Sequence, residues 1–261
     1  MRACHPFAME MVGEDLSKPV ALAFLRRWPS TGALVKIRDG SLRAFFHKHG
    51  SRSEKRILER IEVLRAARQE DVPEEPDEVF ALRLTELLDA IEAANKAVRA
   101  YEGAIRTATR EDERAGLFEG LPGAGEALAP RLLAAFRLVD PESAAQMQVE
   151  TGIAPIRLQT GSSLRTRMRR LCGKFLRQTL HEYAGCSIQS SLWARAFYLH
   201  AMKVRKMNPQ AAKRALAFKW IRILSACWKT GEAYDEPRYL ETLQRKGVPY
   251  LQWFQDTPEC A

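Results

Sequence analysis

A short loop rich in hydroxyl groups stands directly before a run of bases. Thr160, Ser162 and Ser163 surround Gly161. Arginines hold phosphate oxygens well, and an activated hydroxyl can attack phosphorus. The pattern therefore indicates a phosphodiester partner bound where this loop opens a basic helix. The alternative is a capped turn, because Thr, Ser and Gly are ordinary turn and N-cap residues. The candidate phosphate-binding bases are Arg165, Arg167, Arg169, Arg170, Lys174 and Arg177.

A second glycine-containing segment, Leu121-Pro122-Gly123-Ala124-Gly125, precedes apolar residues at helical spacing. It resembles a helix-hairpin-helix turn, in which glycines reach positive φ and let the backbone approach a surface. Backbone N–H groups at the start of the second helix would then bind DNA phosphates without reading the sequence. Gly123 and Gly125 are the candidate contact positions. A simple turn between packed helices is the alternative, and Glu126 at the helix start would oppose an anion.

Charge is distributed unevenly along the chain. The 261 residues contain 41 Lys and Arg against 32 Asp and Glu, a net charge of +9. Residues 70–119 hold 14 acids and 6 bases, whereas residues 157–229 hold 16 bases and one acid, Glu182. Helix faces that are merely solvated usually mix both signs. The basic half therefore indicates an anionic partner, nucleic acid above all.

Cysteine and histidine give no sign of a metal site. The five cysteines are widely spaced and form no CxxC pair, which argues against a zinc knuckle or disulfide framework and favours a reducing, cytoplasmic compartment. His181 and His200 lack a Cys or carboxylate partner at metal-ligand spacing, so we expect both to be structural. No apolar run approaches the ~18 residues of a membrane span, so we expect no membrane partner.

Helical periodicity runs through the chain, and no alternation lasts long enough to predict a strand. Helices are predicted at 18–28, 31–37, 39–50 and 54–68, with a breaker at 72–76. A long apolar seam then repeats at steps of four and three residues. This period predicts coiled-coil pairing, either within the chain or between chains. The seam consists of Phe80, Leu84, Leu87, Ile91, Ala94, Val98, Tyr101 and Ile105.

Six aromatic residues lie among the bases of the C-terminal half. They could stack on exposed nucleobases. Their helical spacing favours core packing instead, which is what we expect. These residues are Trp193, Phe197, Tyr198, Phe218, Trp220 and Trp228.

Several motifs follow one another in a recognisable order. They are Leu-Pro-Gly-Ala-Gly at 121–125, Gly-Ile-Ala-Pro at 152–155, Thr-Gly at 160–161, Lys-Phe-Leu-Arg-Gln at 174–178, and residues 191–196, 214–224, 234–236 and 238–240. This series resembles the C-terminal part of DEDD-type insertion-sequence transposases. That is the Piv/MooV-like group of insertion sequence 110/116/902, also described as RNA-guided serine recombinases. Weaker similarity reaches back to residues 25–29 and 42–46, so the resemblance covers roughly residues 15–247.

The resemblance implies a DNA transposase built from an RNase-H-like domain, a coiled coil and a helical C-terminal domain. In the family, an Asp/Glu/Asp/Asp set in the first domain binds Mg²⁺, and a serine in the last domain links covalently to a DNA end. Thr160 stands at the position of that serine, with Ser162 and Ser163 close by as alternatives. This chain lacks the acidic set, so we expect no cofactor here and Mg²⁺ only in the missing N-terminal domain.

These observations predict an all-α protein with three regions. Residues 1–52 are expected to form short helices that follow the missing catalytic domain. Residues 53–112 are expected to form a helical hairpin or coiled coil. Residues 113–261 are expected to form the C-terminal transposase domain, with the helix-hairpin-helix-like turn at 121–125.

The predicted function is that of a DNA transposase or site-specific recombinase of an insertion sequence, in truncated form. The expected partners are DNA, a structured guide RNA and a second copy of the chain bound through the coiled coil. The expected location is the bacterial cytoplasm, in association with the nucleoid. Enzymatic activity stays open because the acidic catalytic residues are absent. The alternative is a non-enzymatic nucleic-acid-binding and dimerisation module that regulates transposition, or an inactive remnant.

Overall fold

Helices dominate the computed structural model, which describes residues 7–70 and 78–254. The predicted all-α fold is confirmed. The chain divides into two compact units, Met1–Gly103 and Ala104–Ala261. Among the described helices, none combines the length and the apolar character needed to cross a bilayer. The three functional regions, with boundaries after residues 52 and 112, stay a prediction.

The first unit is a set of short helices followed by one long helix. Four of its helices start within one residue of the predicted positions, because Pro19 occupies the first turn of one and two serine hydroxyls cap others, whereas the short helix at Ala8–Val12 was not predicted. Ser30 accepts from the Ala33 amide at 3.2 Å, and Ser53 accepts from the Arg56 amide at 3.4 Å. The predicted breaker at 72–76 lies outside the described residues. The helices are α1 (Ala8–Val12), α2 (Pro19–Arg27), α3 (Thr31–Val35), α4 (Asp39–Lys48), α5 (Glu54–Ala67) and α6 (Glu78–Glu111), which continues into the second unit.

The predicted seam of α6 is buried only near its beginning. Leu84 joins the core of the first unit, together with Leu88, which lies outside the heptad pattern. Further along the helix Leu87 and Val98 are each 53% exposed, and Tyr101 is 70% exposed. Coiled-coil pairing of this exposed stretch stays a prediction. The core that receives Leu84 and Leu88 contains Phe24, Trp28, Phe45 and Phe46 and the α5 residues Ile57, Ile61 and Leu64.

The second unit contains shorter helices around an apolar core and a hairpin of two strands. Strands β1 and β2 pair antiparallel, with Ile156 opposite Arg167 and Thr160 opposite Ser163. The elements are α7 (Gly116–Glu119), α8 (Gly125–Val139), α9 (Ala144–Glu150), β1 (Ile156–Thr160), β2 (Ser163–Arg167), α10 (Lys174–Ser190), α11 (Leu192–Lys203), α12 (Pro209–Thr230), α13 (Glu236–Arg245) and a 3-10 turn at Leu251–Phe254.

The expectation that a basic helix begins directly after the hydroxyl loop is wrong. Residues 163–167 form β2, and the helix begins only at Lys174. The physical reason lies in the turn: Gly161 has φ +61° and Ser162 does not have positive φ, the combination found in type II′ hairpin turns. A two-residue turn of this kind directs the chain back along β1 rather than into a helix. Arg165 and Arg167 are therefore strand residues.

Aromatic side chains form the centre of the second unit, where Trp193, Phe197, Trp220 and Trp228 are buried and Phe218 packs against them, as predicted. Tyr198 is half-buried and does not belong to this core. Trp193 and Trp220 are fully buried, with ring centroids 4.7 Å apart. Their indole N–H groups are satisfied internally: Trp193 donates to the Tyr234 hydroxyl at 2.7 Å and Trp220 donates to Ser187 Oγ at 2.8 Å. Buried indoles with such partners are not available to stack on nucleobases.

Candidate nucleic-acid interface

The glycine turn at residues 121–125 joins α7 to α8, and its two glycines have different surroundings. Gly123 has φ +79°, and a Cβ there would lie 2.8 Å from the backbone carbonyl carbon of Cys186. The side of Gly123 on which a side chain would stand therefore packs against the backbone of α10. Gly125 has φ +55°, and a Cβ at this position would have no other atom within 4 Å, so its surface is open. Of the two predicted contact positions, only Gly125 has space for a phosphate.

The start of α8 is a mixed environment for an anion. Ala124 is the N-cap and supplies no side-chain hydrogen bond, which leaves this helix end without a side-chain cap. Glu126 lies in the first turn and its side chain is 96% exposed. Arg106 approaches it at 3.9 Å and offsets part of its negative charge. Phosphate binding at this turn stays a prediction.

The predicted nucleophile positions lie at the tip of the hairpin formed by β1 and β2. Thr160 pairs with Ser163 across the turn, and Ser162 occupies the second turn position. Ser162 and Ser163 are exposed. Neither hydroxyl is hydrogen-bonded to another side chain that the structure describes, so no general base is in place for them. A nucleophilic role for Thr160, Ser162 or Ser163 stays a prediction.

The bases that follow the hairpin are held on a structured coil between β2 and α10. Arg177, on α10, reaches back so that its guanidinium Nη2 donates to the carbonyl of Arg169, and to the carbonyl of Arg170 at 3.3 Å. Gly152 fits beneath this junction, because a Cβ there would lie 2.5 Å from Cys172 Sγ and 2.9 Å from Arg177 Nη2. Arg177 therefore positions the coil, a role that the sequence did not indicate.

An open hollow of about 770 Å³ lies beside the hairpin and the coil. Two exposed arginines, Arg167 and Arg170, line it together with three apolar residues, Ile156, Met168 and Leu171. Arg169 is half-buried, and its Nε atom is buried without a partner in the described part of the chain. Of the predicted bases, Arg167, Arg170 and Lys174 are thus the exposed ones whose side chains are described.

A second hollow, of about 390 Å³, lies next to the start of α10. It brings two of the predicted bases, Lys174 and Arg177, together with residues that sequence reasoning did not select. Among those are His181, Gln210 and Arg214. The sequence could have indicated His181, because it lies seven positions after Lys174 and therefore on the same face of one helix. Arg214 lies on α12 and reaches the hollow only through packing of two helices. Ile153, Gln178 and Glu182 complete the lining.

The electrostatics of this second hollow favour an anion. Burial lowers the pKa of His181, and the neighbouring positive charges of Arg214 and Lys213 lower it further. Glu182, the one acid of the basic half, accepts from Gln178 at 2.7 Å and from Arg131 at 2.5 Å. These two bonds hold the pKa of Glu182 below its ordinary value, so its charge is present and already paired. Arg177 is held by the carbonyls of Arg169 and Arg170, so Lys174 and Arg214 are the bases of this hollow that can attract phosphate.

Carboxylates do not gather into a metal site in the described part of the chain, where no group of three or more His, Cys, Asp or Glu residues could hold an ion. The Mg²⁺ that the transposase resemblance implies was expected on a separate domain, and that expectation stays a prediction. The charged groups that this surface offers are cationic: arginines and a lysine around two open hollows.

Part of the second unit matches a known protein family. No curated protein matches the chain. Residues 115–199 match the model of a family described as Transposase IS116/IS110/IS902 family. The matched segment contains the glycine turn, the hairpin, the basic coil and α10. It confirms the resemblance inferred from the motifs, and identifies residues 115–199 as consistent with a C-terminal part of the IS116/IS110/IS902 transposase group.

Proposed function

We propose that the second unit binds DNA through the phosphate backbone as the DNA-binding part of an insertion-sequence transposase. The observation that carries the proposal is the cationic surface around the hairpin, where Arg167, Arg170 and Lys174 are exposed and no acid occurs between residues 151 and 181. The family match over residues 115–199 supports the same partner. Contacts of this kind fix the position of a duplex without reading its sequence.

The decisive comparison uses two triple variants of the full chain with equal changes in net charge. The first replaces Arg167, Arg170 and Lys174 by Gln. We expect its affinity for duplex DNA to fall by about 10-fold or more. Each phosphate contact releases counterions from the DNA, and this release, which favours binding, is lost with the contact. The second replaces three exposed bases of the first unit by Gln, namely Lys48, Arg52 and Lys55. Equal losses of affinity in both variants would contradict the proposal.

Strand joining is the second part of the proposal. A hydroxyl oxygen at the hairpin tip would form a bond to a DNA phosphorus while the bond from that phosphorus to one strand oxygen breaks, and the hydroxyl proton would pass through water to the departing strand oxygen. Thr160 stands at the family position, but its branched Cβ restricts the approach of the hydroxyl. We expect a covalent adduct on a denaturing gel that disappears in Thr160→Ala or in Ser162→Ala/Ser163→Ala. DNA binding with no adduct, with Mg²⁺ present, would reject this part alone.

A binding module that regulates transposition is the alternative function. The observation in its favour is that Ser162 and Ser163 have no hydrogen bond to a described side chain that could take their proton. On this alternative the chain competes for DNA with an intact transposase. Self-association through α6 and binding of a structured guide RNA belong to both versions of the proposal. In either case we expect the chain to associate with the nucleoid through its affinity for DNA.

A further inference from the structure

The coil between β2 and α10, together with the first turn of α10, exposes apolar side chains in an otherwise cationic surface. Leu171 is 93% exposed, and Met168 and Phe175 are each 43% exposed. Bases alternate with them in sequence, since Arg170 precedes Leu171 and Lys174 precedes Phe175. A single exposed leucine is common on protein surfaces, but apolar residues that alternate with bases over residues 168–175 form a distinct kind of surface.

Contacts with Arg177 and Gly152 fix the backbone of this coil. Arg177 binds the carbonyls of Arg169 and Arg170, immediately before Leu171. On the other side of Leu171, Cys172 packs so closely over Gly152 that a Cβ at Gly152 would lie 2.5 Å from its sulfur. Leu171 thus stands between two anchored neighbours and projects from a fixed backbone. Ordering the coil in advance lowers the entropy cost of inserting its side chains into a partner.

We propose that Leu171, assisted by Met168, is a wedge that enters duplex DNA between two base pairs and partly unstacks them. This inference rests on the proposed function, because the flanking bases must first hold the duplex by its phosphates. Leu and Met are residue types that proteins insert between base steps, at a cost of a few kcal/mol per opened step. The absence of acids from residue 151 to residue 181 makes a polyanion the complementary occupant.

Fluorescence of 2-aminopurine tests the wedge, because this base brightens when it is unstacked. We would titrate the full chain onto a set of duplexes that carry the probe at different steps, including the flexible TA and CA steps. The wild-type chain is expected to raise the fluorescence several-fold at one or more steps. Leu171→Ala is expected to abolish this rise while retaining most of the affinity. In the double variant Leu171→Ala/Met168→Ala the rise is likewise expected to be absent.

The matched control is Leu138→Ala, which removes the same side chain from a 71% exposed site on α8 of the same unit. It is expected to leave both affinity and fluorescence unchanged. Binding of the duplex with no fluorescence rise, or a rise that survives in Leu171→Ala/Met168→Ala, would overturn the wedge but not the proposed function. Failure of the wild-type chain to bind any duplex would overturn both. A rise seen only with duplex RNA would overturn the assignment to DNA.

Discussion

At the scale of single residues, the two glycines of the α7–α8 turn are not equivalent. Both adopt positive φ, a conformation that costs a non-glycine residue roughly 1–2 kcal/mol. Gly123 must in addition avoid the backbone of Cys186, which cannot move aside as a flexible side chain could. Position 123 therefore requires glycine both for its backbone conformation and for the packing of α8 against α10. Position 125 requires glycine for its backbone conformation alone.

Replacing each glycine by alanine separates these causes. Gly125→Ala is expected to lower the free energy of unfolding by about 1–2 kcal/mol, the cost of the left-handed conformation alone. Gly123→Ala is expected to lower it by roughly 3 kcal/mol or more, because overpacking against fixed backbone adds to that cost. Urea denaturation of both variants would measure the difference. Equal losses would show that the Gly123–Cys186 contact carries no energetic weight.

Lys219 gives a residue-scale prediction on pH. Its ammonium group donates a hydrogen bond to the Tyr250 hydroxyl and lies 5.0 Å from the centre of the Phe197 ring. Burial, followed by the nearby charges of Arg222 and Lys246, lowers the pKa of Lys219 from 10.5 to about 8. Between these two pKa values the unfolded chain holds a proton that the folded protein has lost. The free energy of unfolding therefore rises with pH in this window.

The measurement is urea denaturation of the wild-type chain and of Lys219→Met at a series of pH values. Relative to the variant, the wild-type chain is expected to gain on the order of 1 kcal/mol between about pH 8 and pH 9.5, less than the full shift would give because solvent partly screens the group. Methionine keeps an unbranched chain among the aromatic rings and removes only the titrating group. Parallel pH profiles of the two proteins would contradict the lowered pKa.

At the scale of elements, helices and caps were predictable, whereas the hairpin was not. The starts of α2 and α5 depend on Pro19 and on the Ser53 hydroxyl, which act within a few residues of themselves. The hairpin depends on one φ angle at Gly161, and Thr-Gly-Ser-Ser is equally compatible with a helix cap. The anchoring role of Arg177 was also hidden, because it requires carbonyls that only the folded coil presents.

The long helix α6 gives the element-scale prediction. Its exposed apolar stripe predicts pairing with a second copy of the chain. Leu87→Asp/Val98→Asp is expected to convert a dimer into a monomer in light scattering, because two buried carboxylates would disrupt the seam. Ala100→Asp adds a charge at an exposed position off the seam and is expected to leave the dimer intact. A monomeric wild-type chain would show that the stripe does not pair.

At the scale of the whole molecule, the concentration of bases in one half of the chain was predictable from the sequence, but the positions of those bases in space were not. Residues 157–229 contain 16 bases and one acid, which predicted a polyanionic partner before any fold was considered. Packing of α10 with α12 adds Arg214 to Lys174 and His181 in one hollow. Glu182, the single acid of this half, forms an ion pair with Arg131 of α8 and therefore does not neutralise the bases around the hollow.

The most direct test of the central claim, that this cationic surface binds DNA through phosphates, is the salt dependence of affinity. Binding of the full chain to duplex DNA would be measured by fluorescence anisotropy over a series of salt concentrations. The logarithm of the affinity is expected to fall linearly with the logarithm of salt concentration, with a slope of about −0.9 for each phosphate neutralised. The Arg167, Arg170 and Lys174 triple Gln variant is expected to have a shallower slope. A slope near zero in the wild-type chain would contradict the claim.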